Sequence, residues 1–556
     1  FLVFVHLSPF TLAMSKAYTL KFCCEKMTSV IYIYTNKHPT GGNFTSIPRA
    51  GVEITTLFSF VAVNWVDEDL PLGYQFCYSR YENELLLQLK SLQSIAHSIL
   101  PSGLPNRFTN ISMEVFDVFS ASTIRKIGMN LQPANSVIIS KFVENIVTSS
   151  MSYSDINLVG SILNIVNCSG ISMCGSINRH RCSDMDFSCG NCLNGFIGEE
   201  GSGNSPCVNT SSHFSIDCHT DSDCSEFQYC NITTNSCLYV SKQCPNSCSN
   251  QGVCIFINSN TGLPISHCDV LSIDCQTTCQ CNRGYEGISC AMSSMQLDYK
   301  RNVRLLMLKS FSNLSTAGIS SSQEVFSSAE TIYLITKNTN EICSSAVAPA
   351  FYALHEILRS ATTHGVGYEK LSGVLKSVNN LASLNLSSMS LQKVLELLKS
   401  YTSITASQLY PGQNPVENVL ENFRTLSSCI DADQVESNFS IPKSMLETWI
   451  QKSSLTNSII VSKNNSKFQP LRISLIEVKS KLLPTARNKT VLSNLFIFQV
   501  SKIQNSSASS HVASFIVILR YLSPVMFLAE TQYSLTTVCL SNSKIPPRSA
   551  NYTCPG

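Results

Sequence analysis

From Ile47 to Leu131 apolar and polar positions alternate along the chain. Val52, Ile54 and Thr56 share one phase, followed by Phe58, Phe60 and Ala62 and, after the acidic turn VDEDLPLG, by Tyr74, Phe76 and Tyr78. A period of two bounded by Pro, Gly and Asp predicts antiparallel strands with one buried face. The scheme repeats at Ile111, Met113, Val115 and Val118, behind a loop marked by Pro101, Gly103 and Pro105. Together these strands predict a β-sandwich of Ig/PKD-like build over residues 1–135. The period then lengthens. Leu158, Ile162, Leu163 and Val166 recur at helical spacing, predicting one or two short helices in a linker at 136–167 that leads out of the sandwich.

Two further changes of period follow a long interruption. Between Asn302 and Ser403 apolar residues recur at three and four: Ala346, Ala350, Leu354, Ile357 and Leu358; Leu371, Val374 and Val378; Leu391, Val394, Leu395 and Leu398. These are amphipathic helices, and they predict a helical domain at 291–430. From about Val435 the period returns to two in SIIVSK, LRISLIEV, LFIFQVSKI and SFIVILRYL, predicting a β-rich domain at 431–556. Val512 to Ala529 is long enough to span a membrane, but Arg520 and Pro524 interrupt it, so two buried strands are expected there. The opening FLVFVHLSPFTLA is too short to span and fits the apolar remnant of a signal peptide.

The interruption, Cys168 to Cys290, holds 18 of the 25 cysteines. Such density at such spacing predicts a disulfide framework, divided here into cysteine-rich modules at 168–243 and a further module at 244–290, in an oxidising compartment. The sequons agree with that compartment: Asn43, Asn110, Asn167, Asn209, Asn231, Asn313, Asn385, Asn438, Asn464, Asn488, Asn505 and Asn551 are candidate glycosylation sites. Thirty-nine basic residues against 37 acidic ones leave a net charge of +2, which supplies no field to attract nucleic acid. A chain opening at Phe1 and ending in NYTCPG is expected to be an internal piece of a longer protein.

Three resemblances sharpen this outline. The segment PTGGNFTSIPRAGVEITTLFSFVAVNWVDEDLPLGYQFCY, through Trp65, Asp67, Asp69, Pro71, Leu72, Tyr74 and Phe76, resembles the receptor-for-egg-jelly (REJ) region of polycystin-like membrane proteins. CPNSCSNQGVC followed by TCQCNRGYEGISC, with its Cys-x-Cys-x5-Gly-x2-Cys ending, resembles the EGF-like family. That resemblance implies pairing of Cys244 with Cys254, Cys248 with Cys279 and Cys281 with Cys290, leaving Cys268 and Cys275 to close an inserted loop. LYVSKQ stands before Cys244 in place of the Asp-x-Asp-Glu of calcium-binding members, so calcium is not expected there. A helical half followed by a β half that ends in Cys539 and Cys554 is similar to the membrane-proximal GAIN arrangement, although this β half lacks the His-Leu-Ser/Thr autocleavage tripeptide.

Catalytic constellations are sought without success. The ten histidines are scattered, and His213 and His219 beside Cys218 read as solvated. Gly201 to Ser205 lacks the Lys of a phosphate cradle and reads as a flexible loop, while Cys189 and Cys192 are expected to form structural bridges. Of Cys23 and Cys24, one is expected to join Cys77. The cluster Asp67, Glu68 and Asp69 has carboxylates that suit calcium, but it is expected to be a solvated turn, so no metal and no cofactor are predicted. The expected function is a non-enzymatic extracellular binding or sensing ectodomain. Its partner would be an extracellular protein or glycan, and its parent would be anchored in a membrane C-terminal to this piece. A secreted matrix or adhesion glycoprotein is the alternative.

Overall fold

A computed structural model describes residues 12–24, 27–80, 83–101, 109–148, 151–171, 173–210, 218–319, 321–384, 388–430, 436–450, 458–463, 471–482, 495–502, 515–520, 533–535 and 550–552. The chain is multidomain: a β-sheet region comes first, then a disulfide-rich region of small sheets, then a helical and α+β region. It divides into two units, residues 1–404 and 405–556.

The chain enters through a hairpin, β1 (Ala17–Cys24) and β2 (Met27–Tyr34), paired from Ala17 opposite Tyr34 to Cys24 opposite Met27. It forms a sheet by itself. The strands β3 (Asn43–Ile47), β4 (Ala50–Val52), β5 (Phe58–Val63), β6 (Gly73–Arg80), β7 (Asn83–Ser91), β8 (Ile95–Ser98), β9 (Thr109–Phe116) and β10 (Ser122–Gln132) make two sheets. One has the order β4-β10-β9-β6-β7, with β4 and β10 parallel, and the other has the order β3-β5-β8.

Alternation explains the core. Phe58, Phe60 and Ala62 from one sheet and Phe76, Ile111, Met113 and Val115 from the other are buried together with Trp65, Leu72 and Met129. Burying each large apolar side chain stabilises the fold by about 1.5–3 kcal/mol. Two positions leave the expected phase. Ile54 is buried but lies in a turn after β4 at φ 52°, and Val118 is exposed in the turn after β9 rather than on a strand. At Gly42 a Cβ would lie 2.2 Å from the Trp65 ring, so only glycine lets the strand approach that indole.

Two helices follow, α1 (Ser136–Val147) and α2 (Tyr153–Leu163). Ser152 and Asp155 close a capping box at the start of α2, satisfying amides that the first turn leaves without partners. Where the sequence suggests a linker, α2 is buried from Ile156 to Leu163. Tyr78 explains part of this, since its hydroxyl lies 2.7 Å from Ser161 Oγ and donates to the Asn157 carbonyl.

After the cysteine-rich region come α3 (Ser294–Thr316), α4 (Ser322–Thr336), α5 (Ser344–Thr363), α6 (Ser372–Ala382) and α7 (Ser388–Gln408). One of these helices returns to the β region. Helix α4 packs against α2 and β7, and its Leu334 joins the core formed by the two sheets. The junction is polar as well as apolar. Arg304 of α3, fully buried, donates to Glu341 Oε2 at 2.7 Å, Ile335 O at 2.7 Å, Leu334 O at 3.3 Å and Asn164 Oδ1 at 2.6 Å. Lys300 adds a bond to Glu341 Oε1 at 2.9 Å. Burial pushes the Glu341 carboxyl up, but Arg304 and Lys300 outweigh it and hold the group below the ordinary glutamate value.

In the second unit, Val416–Val419, Phe423–Ile430, Leu471–Val478 and Leu495–Lys502 form an antiparallel sheet in that order. Glu436–Ser440, Ser458–Lys463 and Phe515–Arg520 form another. The first two strands of the larger sheet lie inside the stretch read from sequence as helical. Phe515–Arg520 is a strand, in line with the expected strand at that end of the Val512–Ala529 run. Among the described residues no helix is long and apolar enough to cross a membrane.

Candidate functional site

Two features carry chemistry or recognition: the disulfide framework and one loop end of the β region. In the framework Cys168 joins Cys182, Cys174 joins Cys189 and Cys192 joins Cys207. Cys218 joins Cys230 and Cys224 joins Cys237. In the module at 244–290 the bonds are Cys244–Cys254, Cys248–Cys279, Cys268–Cys275 and Cys281–Cys290. The close pair Cys189 and Cys192 therefore serves two different bridges. Sulfurs of Cys218, Cys224 and Cys237, and of Cys244, Cys248 and Cys279, lie near one another. All six are in disulfides and offer no thiolate to a metal.

Modules with so little apolar core need other organisers, and two buried cations provide them. Arg179 donates to the carbonyls of Ser205, Gly190, Gly201 and Glu199 at 2.6–3.0 Å, gathering the loops between the first three bridges. The Gly201–Ser205 segment, expected to be flexible, is pinned by this guanidinium and by the Gly203 amide, which donates to Cys189 O. Lys242, also buried, donates to Cys275 O at 2.7 Å with Glu199 at 3.9 Å. Burial lowers its pKa and Glu199 partly restores it. The neighbouring Gln243 amide donates to Ser205 Oγ, so the modules touch through directed bonds.

Both ends of this region are fixed to the helical segments on either side of it. At the entry Asn167 exchanges hydrogen bonds with Asp186 and Phe187, and Lys337 beyond α4 pairs with Asp184. At the exit Ser293 caps α3, and Arg301 lies 3.4 Å from Glu286.

The sequons fall mainly on the surface. Asn43, Asn110, Asn167, Asn209 and Asn313 are exposed and Asn231 is half-buried. Asn167 and Asn231 each accept a hydrogen bond at 3.0 Å from the amide of their own sequon Ser169 or Thr233. The hydroxyl of Ser315, in the Asn313 sequon, is buried and bonded to Phe311 O. Asn438 and Asn551 lie on strands. Asn385, Asn464, Asn488 and Asn505, with Cys539, Cys554 and His213, lie outside the described residues. Cys23 is an exposed thiol and does not join the buried Cys77, and the side chain of Cys24 also lies outside them.

At the loop end, the turn after β5 and the turn after β9 meet. The Asp69 amide donates to Asp67 Oδ1 at 2.9 Å, and the Val118 amide donates to Asp69 O at 3.3 Å. Asp117, buried, accepts from the Ala121 amide and from Asn36 Nδ2. One carboxylate oxygen each from Asp67, Asp69 and Asp117 falls within 4.8 Å of the others. Desolvation and the charges of Asp67, Asp117 and Glu68 push the Asp69 carboxyl up. Sequence reasoning grouped Asp67, Glu68 and Asp69 but missed Asp117, which only the pairing of the two sheets' turns brings near. Hard cations take such oxygen sets, but both Asp117 oxygens are already engaged in holding the turn.

Residues 10–156 match the family model of the REJ domain. The match runs from before β1 into α2 and so includes both sheets and the acidic loop end. No curated protein matches the chain. A REJ domain followed by nine disulfides suggests an extracellular setting.

Proposed function

We propose that the chain is a non-enzymatic binding or sensing ectodomain of a large polycystin-like membrane protein, with an Ig/PKD-like sandwich, an EGF-like module at 244–290 and a GAIN-like β unit. The observation that carries this reading is the REJ match at 10–156 running directly into the bridged region. The fully paired cysteines there support a binding role, since thiol chemistry has no free sulfur to use among them. Rigid modules of this kind hold surface loops in fixed positions, and recognition belongs to those loops.

The test is expression through the secretory pathway with peptide mapping under non-reducing conditions, joined to fractionation of the native protein. Recovery of the nine bridges and co-sedimentation of the native protein with membranes until detergent is added are the expected results. Free thiols throughout the cysteine-rich region would overturn the extracellular assignment. Native protein found only in the medium would favour a secreted matrix or adhesion glycoprotein.

A further inference from the structure

The loop end of the β region carries a set of apolar side chains that the fold leaves uncovered. Val66 is 66% exposed, Leu70 65%, Val118 54% and Phe119 71%. They are not scattered. Val66 and Leu70 flank the acidic turn, Val118 and Phe119 form the turn after β9, and the hydrogen bond from Val118 N to Asp69 O ties the two turns together. Single exposed apolar residues are ordinary, but four on two touching turns form a patch of the kind that marks an interaction surface. An exposed aromatic, Phe119, together with adjacent charged groups is a composition found at protein interfaces.

The charges say which partner fits. Asp67, Glu68 and Asp69 lie between Val66 and Leu70 in sequence, and Asp117 immediately precedes Val118. Lys90 over the Phe116 ring and Arg125 over the Trp65 ring lie behind the two turns, while the turns themselves carry only carboxylates among their charged side chains. An anionic membrane surface is repelled by such a rim. An apolar segment flanked by Lys or Arg is attracted to it and buries the patch on contact.

We propose that the turns Val66–Leu70 and Asp117–Phe119 form a docking surface for a cationic, apolar segment of a protein partner. This deepens the ectodomain reading and rests on it for there being a partner at all. The geometry also assigns roles: Phe119 and Leu70 supply buried contact area, Asp67, Glu68 and Asp69 select for positive charge, and buried Asp117 shapes the turn.

The test uses the full secreted chain on a biosensor. The probes are a short peptide of alternating leucine and lysine, its leucine and glutamate counterpart, and phosphatidylcholine/phosphatidylserine vesicles with and without calcium. Saturable binding of the lysine peptide, weakened by salt and absent for the glutamate peptide, is expected. The pairs Phe119→Ser with Leu70→Ser and Asp67→Asn with Asp69→Asn should each weaken it about tenfold. Glu68→Lys, a single change at an exposed position, should do the same if either pair fails to fold. Unchanged affinity in the folded variants overturns the proposal, as does a preference for the vesicles in either condition. A chain that carries its nine bridges and still fails this test leaves the ectodomain reading standing, so the two fail separately.

Discussion

Replacing Arg304 with alanine would remove four hydrogen bonds at once from the junction of α2, α3 and α4. Glu341, 3% exposed, would have Lys300 as its remaining cation, Asn164 Oδ1 would keep only the bond from Asn338 Nδ2, and the Ile335 carbonyl would lose the guanidinium. Breaking a buried ion pair by removing one partner costs about 3–5 kcal/mol. With a urea slope of about 3 kcal/mol/M, expected at the upper end for small domains and exceeded by larger ones, the midpoint should fall by about 1 M. Urea melts followed by circular dichroism, to which α3–α7 contribute strongly, measure this. The double change Arg304→Met with Glu341→Leu removes both charges and should recover most of the loss, because a buried pair is stabilising chiefly relative to its broken form. The pH dependence supplies a second check. In the wild type Glu341 is held below its ordinary value of 4.5, so its contribution is present above that pH and is lost as pH falls through the lower folded value. Without Arg304 the largest charge opposing burial is gone, so the carboxyl should move up and this contribution should shrink, making stability less dependent on pH in that range than in the wild type. A loss under about 1 kcal/mol for Arg304→Ala, within the range of ordinary surface changes, would refute the reasoning, as would a double variant no better than the single one.

Three further outcomes follow from the same geometry. Arg179→Met should leave at least four carbonyls without their donor and cost about 2–4 kcal/mol, read as reduced secretion and scrambled bridges among Cys168–Cys207. Gly42→Ala should force the Trp65 ring aside and cost about 1–3 kcal/mol, measured as a lower melting temperature with the disulfide map unchanged. Asp67→Asn should lower the Asp69 pKa. Because Asp69 is raised in the fold, its penalty is absent below the ordinary value of 3.8 and grows as pH rises, so melts should show the variant gaining on the wild type above that pH.

Legibility from sequence followed one-sided burial. Phe58, Phe60 and Ala62, and Ile111, Met113 and Val115, alternate because one face of each strand is core, and those strands were readable. The hairpin of AYTLKFCC and MTSVIYIY was not: Tyr18, Leu20 and Phe22 share a face that is only half-buried, and no described residue on the hairpin is fully buried. Phe423–Ile430 failed for the opposite reason: nearly every position is buried, including Thr425, Ser427 and Ser428, so the period vanishes. Arg304 lies on a helix where a charge reads as solvent-facing, and only its four partners from distant segments reveal it as a core residue. The acidic loop end was half legible for the same reason. Asp67 and Asp69 share one turn, whereas Asp117 comes from a turn whose nearness depends on the β6–β9 pairing.

The return of α3 to α2, and of α4 to α2 and the β region, has a mechanical meaning. The cysteine-rich residues 168–290 leave and rejoin the helical part of the first unit at anchored points, Asn164 and Asn167 on one side and Ser293 on the other. They form a side branch and not a link in series. Tension applied along the chain would pass from the strands through α2 into Arg304 and α4, while the branch stays slack until that junction parts. Its disulfides would then limit how much length is released. A region that resembles a tether in the linear sequence is, in the folded molecule, shielded from load by the contacts at its base.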